Sequence, residues 1–403
     1  MSVYLDWAAT APMDPLVADC LRETALGVMG NPSSIHRYGE AAKAVLEESR
    51  HICAGILGCE SSRLFFTSGG SESNNIVLTS FLRRARPGHI ITSAVEHSAV
   101  YEPCRVLEKF GWRVSRVGPG REGRIGAEQI AAALTPDTVL VSVMLVNNET
   151  GMIQPVREIA AAVRAFERGA AGGGSAGGGS GCGGRAIHIH TDAVQAAGKI
   201  PVSLKDLGVD SISLSAHKFR GPRGAGILAF SAAGGGLEPL YVGGGQEKGM
   251  RPGTENVAGI AAMTRALQLA QENIEKNYAH AQKLMTILFQ SMGGCGHCRI
   301  LPECRLPHPG WYSPYIVSLA FPPVPGEVLV RVLNDRGYAV STGSACSARK
   351  KKDTRVIEGT GVSKKTAFSS IRVSIGPATT EEEIRAFSRD LMEEVTILFR
   401  TAS

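Results

Sequence analysis

Short apolar or β-branched runs alternate with helical patterns through the first two-thirds of this chain, and that alternation restricts its fold more than any other feature. Runs at 63–67, 89–93, 138–146, 187–191, 211–214 and 226–230 have the length and composition of buried strands. Between them, segments 73–86, 99–110, 128–134 and 157–168 carry apolar residues three and four positions apart, the period of an amphipathic helix. Such alternation predicts an α/β protein with a mostly parallel sheet covered by helices on both faces, where ligands gather beyond the carboxyl ends of the strands. The grammar changes after Glu255. A long helical pattern from 261 to about 288 leads into a strand at 315–320, a helix at 326–336, a strand at 371–375 and an amphipathic terminal helix at 379–399. This is the make-up of a smaller α+β unit. With 403 residues there is material for both. We expect an N-terminal segment over 1–14 packing near the small domain, a large domain over 15–260 and a small one over 261–403.

Residues with chemical potential fall at the predicted strand ends. Lys218 stands in Ser215-Ala216-His217-Lys218, directly after the run Ile212-Ser213-Leu214, and Asp192 closes the strand before it, followed by Gln195. A lysine and a carboxylate so arranged meet the needs of pyridoxal phosphate. The amine condenses with the aldehyde, and the carboxylate keeps the pyridine nitrogen protonated so that the ring accepts electrons. A lone lysine after a strand would mean little, since most lysines are solvated surface residues. Upstream, Thr67-Ser68-Gly69-Gly70-Ser71-Glu72 follows one strand and opens a helix, so Gly70 and Ser71 can offer backbone N–H groups and a hydroxyl to a phosphate. Alone, that turn reads equally as a helix cap.

Composition limits the setting more than the activity. The hydrophobic fraction of 43% is that of an ordinary globular core, and the net charge of +6 is spread along the chain, so neither direct nucleic-acid binding nor membrane attachment is expected. The first residues lack the basic and apolar regions of an export signal, and no stretch reaches the roughly 18 apolar residues of a membrane span, which points to the cytoplasm. Nine irregularly spaced cysteines fit reduced thiols better than a disulfide framework. Cys295-Gly296-His297-Cys298, with Cys304 and His308, lacks a zinc-ligand spacing in its second half, and no metal is expected. Residues 169–184 are rich in glycine and serine. Because a helix precedes them and a sheet strand follows, we read them as a surface insertion in a helix-to-strand loop rather than a domain linker.

Taken together, Tyr4 to Thr10, Gly30 to Ser34, Thr67 to Asn75, Glu96 to Ala99, Val146 to Gly151, the Asp192 and Lys218 segments, Arg251 to Asn256, Ser341 to Ser347 and Ser370 to Gly376 resemble the cysteine desulfurases, fold-type I, class-V pyridoxal-phosphate enzymes. The resemblance runs through nearly the whole chain and implies a transferase with the two-domain fold expected above. It implies that His97 stacks on the pyridine ring and shuttles protons, where the residues alone would equally allow a capping or core histidine. It further implies that Asn148 and Gln195 hydrogen-bond near the ring hydroxyl and the substrate, and that Ser215 and His217 complete the phosphate cup. Thr254 would reach the phosphate of a neighbouring subunit, making the protein a homodimer with sites at the interface.

Arg372 looks like the clamp for the substrate α-carboxylate, since a planar guanidinium binds a carboxylate through two parallel hydrogen bonds. A structural ion pair is the competing explanation for an arginine inside an apolar strand. Cys346 lies among small residues, Gly343, Ser344, Ser347 and Ala348, where a thiolate can move between a cofactor and an acceptor. By resemblance, it takes sulfur from L-cysteine as a persulfide, leaves L-alanine, and passes the sulfur to an acceptor protein of iron–sulfur assembly or tRNA thiolation. The basic run Arg349 to Lys352 that follows is as well explained by a solvated loop as by a docking patch. A selenocysteine lyase would share almost all of these residues. Transamination has no use for a mobile thiol, and a catalytically silent dimeric scaffold would have no need of Lys218, Asp192, His97, Arg372 and Cys346 together.

Overall fold

The computed structural model describes residues 2–84, 86–172, 186–343 and 354–402. The chain opens with a two-residue strand, β1 (Val3–Tyr4), and then builds a seven-stranded sheet. Its members are β2 (Leu64–Thr67), β3 (His89–Ser93), β4 (Arg113–Val117), β5 (Thr138–Ser142), β6 (His188–Asp192), β7 (Ser211–Ser215) and β8 (Gly226–Phe230), in the spatial order β2-β8-β7-β6-β5-β3-β4. From β4 to β7 every neighbour is parallel, and β8 runs against both β7 and β2. All five residues of β3, β5, β6, β7 and β8 are buried, as strands covered on both faces must be.

The departures from the sequence expectation have physical causes. Strand β4 reads Arg-Val-Ser-Arg-Val and forms the sheet edge, where Arg113 and Arg116 pair with Asp137 and Glu108. A half-exposed, charged edge strand carries no apolar run to announce it. The run predicted to continue to Val146 leaves β5 at Ser142, yet stays buried because the amides of Val143 and Leu145 still donate to His190 and Asp192 carbonyls, at 3.2 and 2.9 Å. The single helical pattern after Glu255 is two helices, Val257–Glu272 and Ile274–Met292, separated at Asn273. Periodicity passes through that break because both helices bury one face, each against a different core.

The first of these cores lies about the large sheet and includes Ile212, Leu214, Ile227, Ile260, Met263 and Leu267. The second gathers Leu284, Leu288, Val317, Leu319, Ile371, Val373 and Phe387 around a three-stranded antiparallel sheet ordered β12-β10-β9. Those strands are β9 (Arg299–Leu301), β10 (Ile316–Ala320) and β12 (Ser370–Ser374). Strand β11 (Tyr338–Ala339) pairs in parallel with β1, Asp6 bridges to Ser374, and Leu5 and Ala8 enter the second core. The N-terminal segment is thereby tied to the small unit while Ala8 and Ala9 reach the end of the large sheet. Cys295 and Cys298 pack against the second core, and His297 stacks on Phe399 at 3.9 Å between ring centroids. Among the described residues no helix is long and apolar enough to cross a membrane, and no group of three or more histidine, cysteine or acidic residues is placed to hold a metal ion.

Candidate functional site

Beyond the carboxyl ends of β6 and β7, where the helix Gly70–Thr79 begins, lies a cavity of about 210 Å³. Its walls include Gly70, Ser71, His97, Asn148, Asp192, Gln195, Ser215, His217, Lys218 and Arg372, together with Ala8, Ala9, Asn74, Met144 and Val194. Thus all but two of the site residues proposed from sequence meet in one place. Thr254 lies instead in a separate recess with Phe66, Ser68 and Arg251, and Cys346 is outside the described residues.

The glycine turn is shaped by close approach. A Cβ on Gly70 would come within 2.5 Å of Val194 Cγ2, and one on Gly226 would lie 2.4 Å from Gly69 Cα. Both distances are too short for any side chain, so the first turn of the helix is pressed onto the strand ends with its amides bare. Next to it a second, more open hollow is lined by Thr10, Gly69, Ser71, Ser215, His217 and Arg223. Arg223 adds a cation that no sequence motif marked, and Thr10 adds a hydroxyl from the N-terminal stretch. His217 Nδ1 lies 3.1 Å from Thr10 Oγ1. Burial, with Lys218 and Arg223 nearby, pushes its pKa down to about 4, so the ring is neutral at pH 7.

At the cavity floor the Asp192 carboxylate accepts from Asn74 Nδ2 at 2.6 Å and from the Val194 amide at 3.0 Å. Asn74 Oδ1 lies 3.0 Å from His190 Nε2, and His190 Nδ1 lies 2.8 Å from Ser211 Oγ. Burial holds the His190 pKa down to about 3. A neutral imidazole donating to Asn74 fixes which end of that amide faces Asp192. Neither Asn74 nor His190 was assigned a role from sequence: Asn74 lines the cavity and holds Asp192 across 118 positions of chain, and His190 reaches the cavity only through Asn74.

The Lys218 amine is held by the N-terminal segment. Lys218 Nζ donates to the carbonyls of Ala8 and Ala9 at 2.6 and 2.7 Å, and Gln195 Nε2 donates to the same Ala8 carbonyl at 2.9 Å. His97 caps the helix Ser98–Lys109, its Nδ1 accepting from the Ala99 amide at 3.1 Å. Burial, with Lys218 and Arg372 adding to it, lowers the His97 pKa although Asp192 pulls the other way. The ring is then neutral with its proton on Nε2; the capping reading of His97 holds, and the same ring lines the cavity.

Arg372 makes the structural ion pair that the sequence allowed and also lines the cavity. It is 2% exposed in the centre of β12, donating to the Asn148 carbonyl at 2.9 Å and pairing with Asp6 at 2.8 Å. Its Nε is buried without a hydrogen-bond partner. A guanidinium anchored at one edge and unsatisfied at another can receive a further acceptor.

The aminotransferase class-V family matches residues 3–171 and 182–387. Cysteine desulfurase IscS of Dictyoglomus turgidum is 36% identical over 404 residues, covering 100% of this chain and 96% of that protein. The chain belongs to the cysteine desulfurase family. The cysteine desulfurase of Mus musculus is 37% identical over 387 residues, covering 95% of this chain and 79% of the mouse protein. Among solved structures, a NifS-like protein superimposes with a TM-score of 0.87 at 34% identity, covering 98% of this chain and 100% of its own. SspA in complex with cysteine superimposes at 0.77 with 30% identity, covering 94% and 100%. The stretch the family match omits, 172–181, falls inside the glycine-serine segment that the sequence marks as an insertion in this cysteine desulfurase-family chain.

Proposed function

We propose that this enzyme binds pyridoxal phosphate and converts L-cysteine to L-alanine, with the sulfur carried as a persulfide on Cys346. The observation that carries the reading is the convergence, in one cavity, of the Lys218 amine, the Asp192 carboxylate, a glycine-bounded helix N-terminus and the unsatisfied edge of Arg372. These residues fit the cofactor. Lys218 would hold its aldehyde carbon, Asp192 its ring nitrogen, and the Gly70–Ser71 turn with Ser215 and His217 its phosphate. When bound, pyridoxal phosphate supplies an electron sink for the charge that develops at the substrate Cα.

The protein's own groups do the rest. Arg372 takes the substrate carboxylate, which fixes the bond at Cα to be broken. Lys218, freed when substrate enters, accepts the Cα proton and later returns one to the carbon product. Neutral His97 donates or accepts at Nε2 beside it. The Cys346 thiolate attacks the substrate sulfur, forming an S–S bond as the C–S bond breaks, and the electron pair left on carbon is protonated on the way to L-alanine. The described ends of the segment bearing Cys346 support this reading. Ser341 pairs with Arg372 in β12, and Arg355 donates to the Ala94 and Glu96 carbonyls, next to His97.

Thr254, absent from the cavity of its own subunit, would serve the cofactor phosphate of a partner in a homodimer. The exposed neighbours Leu240, Tyr241 and Val242 supply apolar surface near it for such contact. The sulfur acceptor would be a protein thiol of iron–sulfur assembly or tRNA thiolation, and the setting the cytoplasm.

Incubation of the purified protein with L-cysteine, scoring L-alanine and sulfide in the presence of a thiol reductant, tests the proposal. Wild type should form both, Lys218→Ala neither, and Cys346→Ser no sulfide. Sulfide release undiminished in Cys346→Ser would defeat the persulfide route, and greater turnover on selenocysteine than on cysteine would replace desulfuration with selenocysteine cleavage.

A further inference from the structure

A hydrogen-bonded line leads from a second buried lysine to the reactive amine. Lys199 Nζ donates to Gln195 Oε1 at 2.9 Å, Gln195 Nε2 donates to the Ala8 carbonyl at 2.9 Å, and that carbonyl also accepts from Lys218 Nζ at 2.6 Å. An amide has one accepting end and one donating end, so whatever stands at the first decides what the second offers. An ammonium at Lys199 has donors only. It must face the Gln195 oxygen, which turns the NH₂ toward Ala8.

The charge around this line is one-sided. Lys199 is 8% exposed and lines a second cavity, of about 590 Å³, that has Lys218 in its wall and reaches toward the small unit at Tyr315 and Ile375. From the reactive cavity it faces Lys218, Arg372 and His217. From the second cavity it faces Lys276, His280, and Asp14 with Arg220, which pair with each other at 2.7 Å. Among the described residues no carboxylate pairs with Lys199. A buried ammonium without a carboxylate is costly to keep, and a purely structural role would be met as well by an uncharged side chain.

We propose that Lys199 is a positioning residue for the chemistry proposed above: through Gln195 it fixes the Ala8 carbonyl that receives the Lys218 amine, and its charge makes that amine readier to release a proton. The inference rests on the cofactor reading of the preceding subsection. Burial, with Lys218 and Arg372 nearby, brings the Lys199 pKa down to about 7, so its charge is present below that pH and fades above it. Lys218 itself is faced by Asp192, His97, His217, Arg372 and Lys199. Of these only Lys199 is not itself proposed to hold cofactor or substrate.

The test is a spectrophotometric pH titration of the visible cofactor band of the holoenzyme, which reports the proton held between cofactor and Lys218, with thermal melts alongside. Lys199→Met should raise the titration midpoint by about 0.5 to 1 pH unit, as loss of a nearby like charge requires. It should also lower kcat about tenfold with KM for L-cysteine within about twofold, the pattern of a lost transition-state interaction. Lys199→Arg, which keeps charge and donors, should retain the wild-type midpoint. A folded Lys199→Met with an unmoved midpoint overturns the proposal, and so do equal shifts in both variants accompanied by equal loss of melting temperature. Should Lys199→Met not fold, Lys199→Gln is read by the same criteria. A wild-type protein with no such band overturns the cofactor reading and this inference together, whereas a normal band with unmoved variants overturns this inference alone.

Discussion

Two arginines are equally hidden in this protein, Arg305 and Arg372, each 2% exposed, and the contrast between them separates a structural buried charge from one available for binding. Arg305 lies where the loop after β9 meets the turn at Gly151. It donates to the Thr150 and Ser313 carbonyls at 2.7 and 2.9 Å and covers the Tyr312 ring at 4.8 Å from the centroid. Burial brings its pKa down to about 10. Arg372 uses one backbone carbonyl and one carboxylate, keeps Nε unsatisfied, and lines the cavity. Burial is common to both. What differs is the hydrogen-bonding capacity left over and an open space beside it, and on those two grounds ligand binding is proposed for Arg372 and not for Arg305.

The sharpest way to break this comparison is to replace each guanidinium in turn. Arg372→Lys should lower kcat/KM for L-cysteine by about 10²- to 10³-fold, because a point charge cannot hold a carboxylate in two parallel bonds. Steady-state alanine formation measures it, and a loss under tenfold would return Arg372 to a structural role. Arg305→Gln should leave KM within about twofold while lowering stability by about 3 kcal/mol, through the unpaired Thr150 and Ser313 carbonyls. Denaturant melts of that variant decide the point.

Glu96 extends the comparison to acids. It is buried beside His97, its Oε1 accepts from Ser93 Oγ and the Met144 amide at 2.5 and 2.9 Å, and its Oε2 has no partner. Burial pushes its pKa up to about 8. Between the unfolded carboxyl value, near 4.3, and about 8 the folded chain holds a proton that the unfolded chain has released. Stability therefore falls as pH rises through that window, by at most about 1.4 kcal/mol per pH unit. Glu96→Gln should flatten the fall in melting temperature between pH 5 and pH 8, and an unchanged slope would place the titration elsewhere. The smallest effect belongs to the insertion. Deleting residues 173–184 should leave alanine formation within about twofold, since the family match passes over 172–181 and loops tolerate changes in length. Loss of cofactor binding in that deletion would show that the segment is more than a spacer.

Much of this arrangement was legible before any coordinates. Strands β2, β3, β6, β7 and β8 announce themselves as apolar runs because both faces of the sheet are covered, and Lys218, Asp192 and the Gly69–Gly70 turn stand out because each sits at the end of such a run. Strand β4 is silent because it is a half-exposed edge that carries Arg113 and Arg116. The parts played by Asn74 and His190 are silent because they are relational: Asn74 holds Asp192 and His190 holds Asn74, each more than a hundred positions away. The pairing of Arg372 with Asp6 spans the length of the chain, and no local pattern encodes it.

Residue order alone settled the class of fold and the family and put Lys218 at the end of a strand, since hydrophobic period and strand-end chemistry are local properties written in consecutive residues. Folding decided which polar groups remain satisfied. It brought β1 onto the small unit, set the Ala8 and Ala9 carbonyls over Lys218, and left Arg372 Nε without a partner. Hydrogen-bond satisfaction and desolvation depend on what surrounds an atom in space, and that surrounding exists only once segments far apart in the chain have packed together.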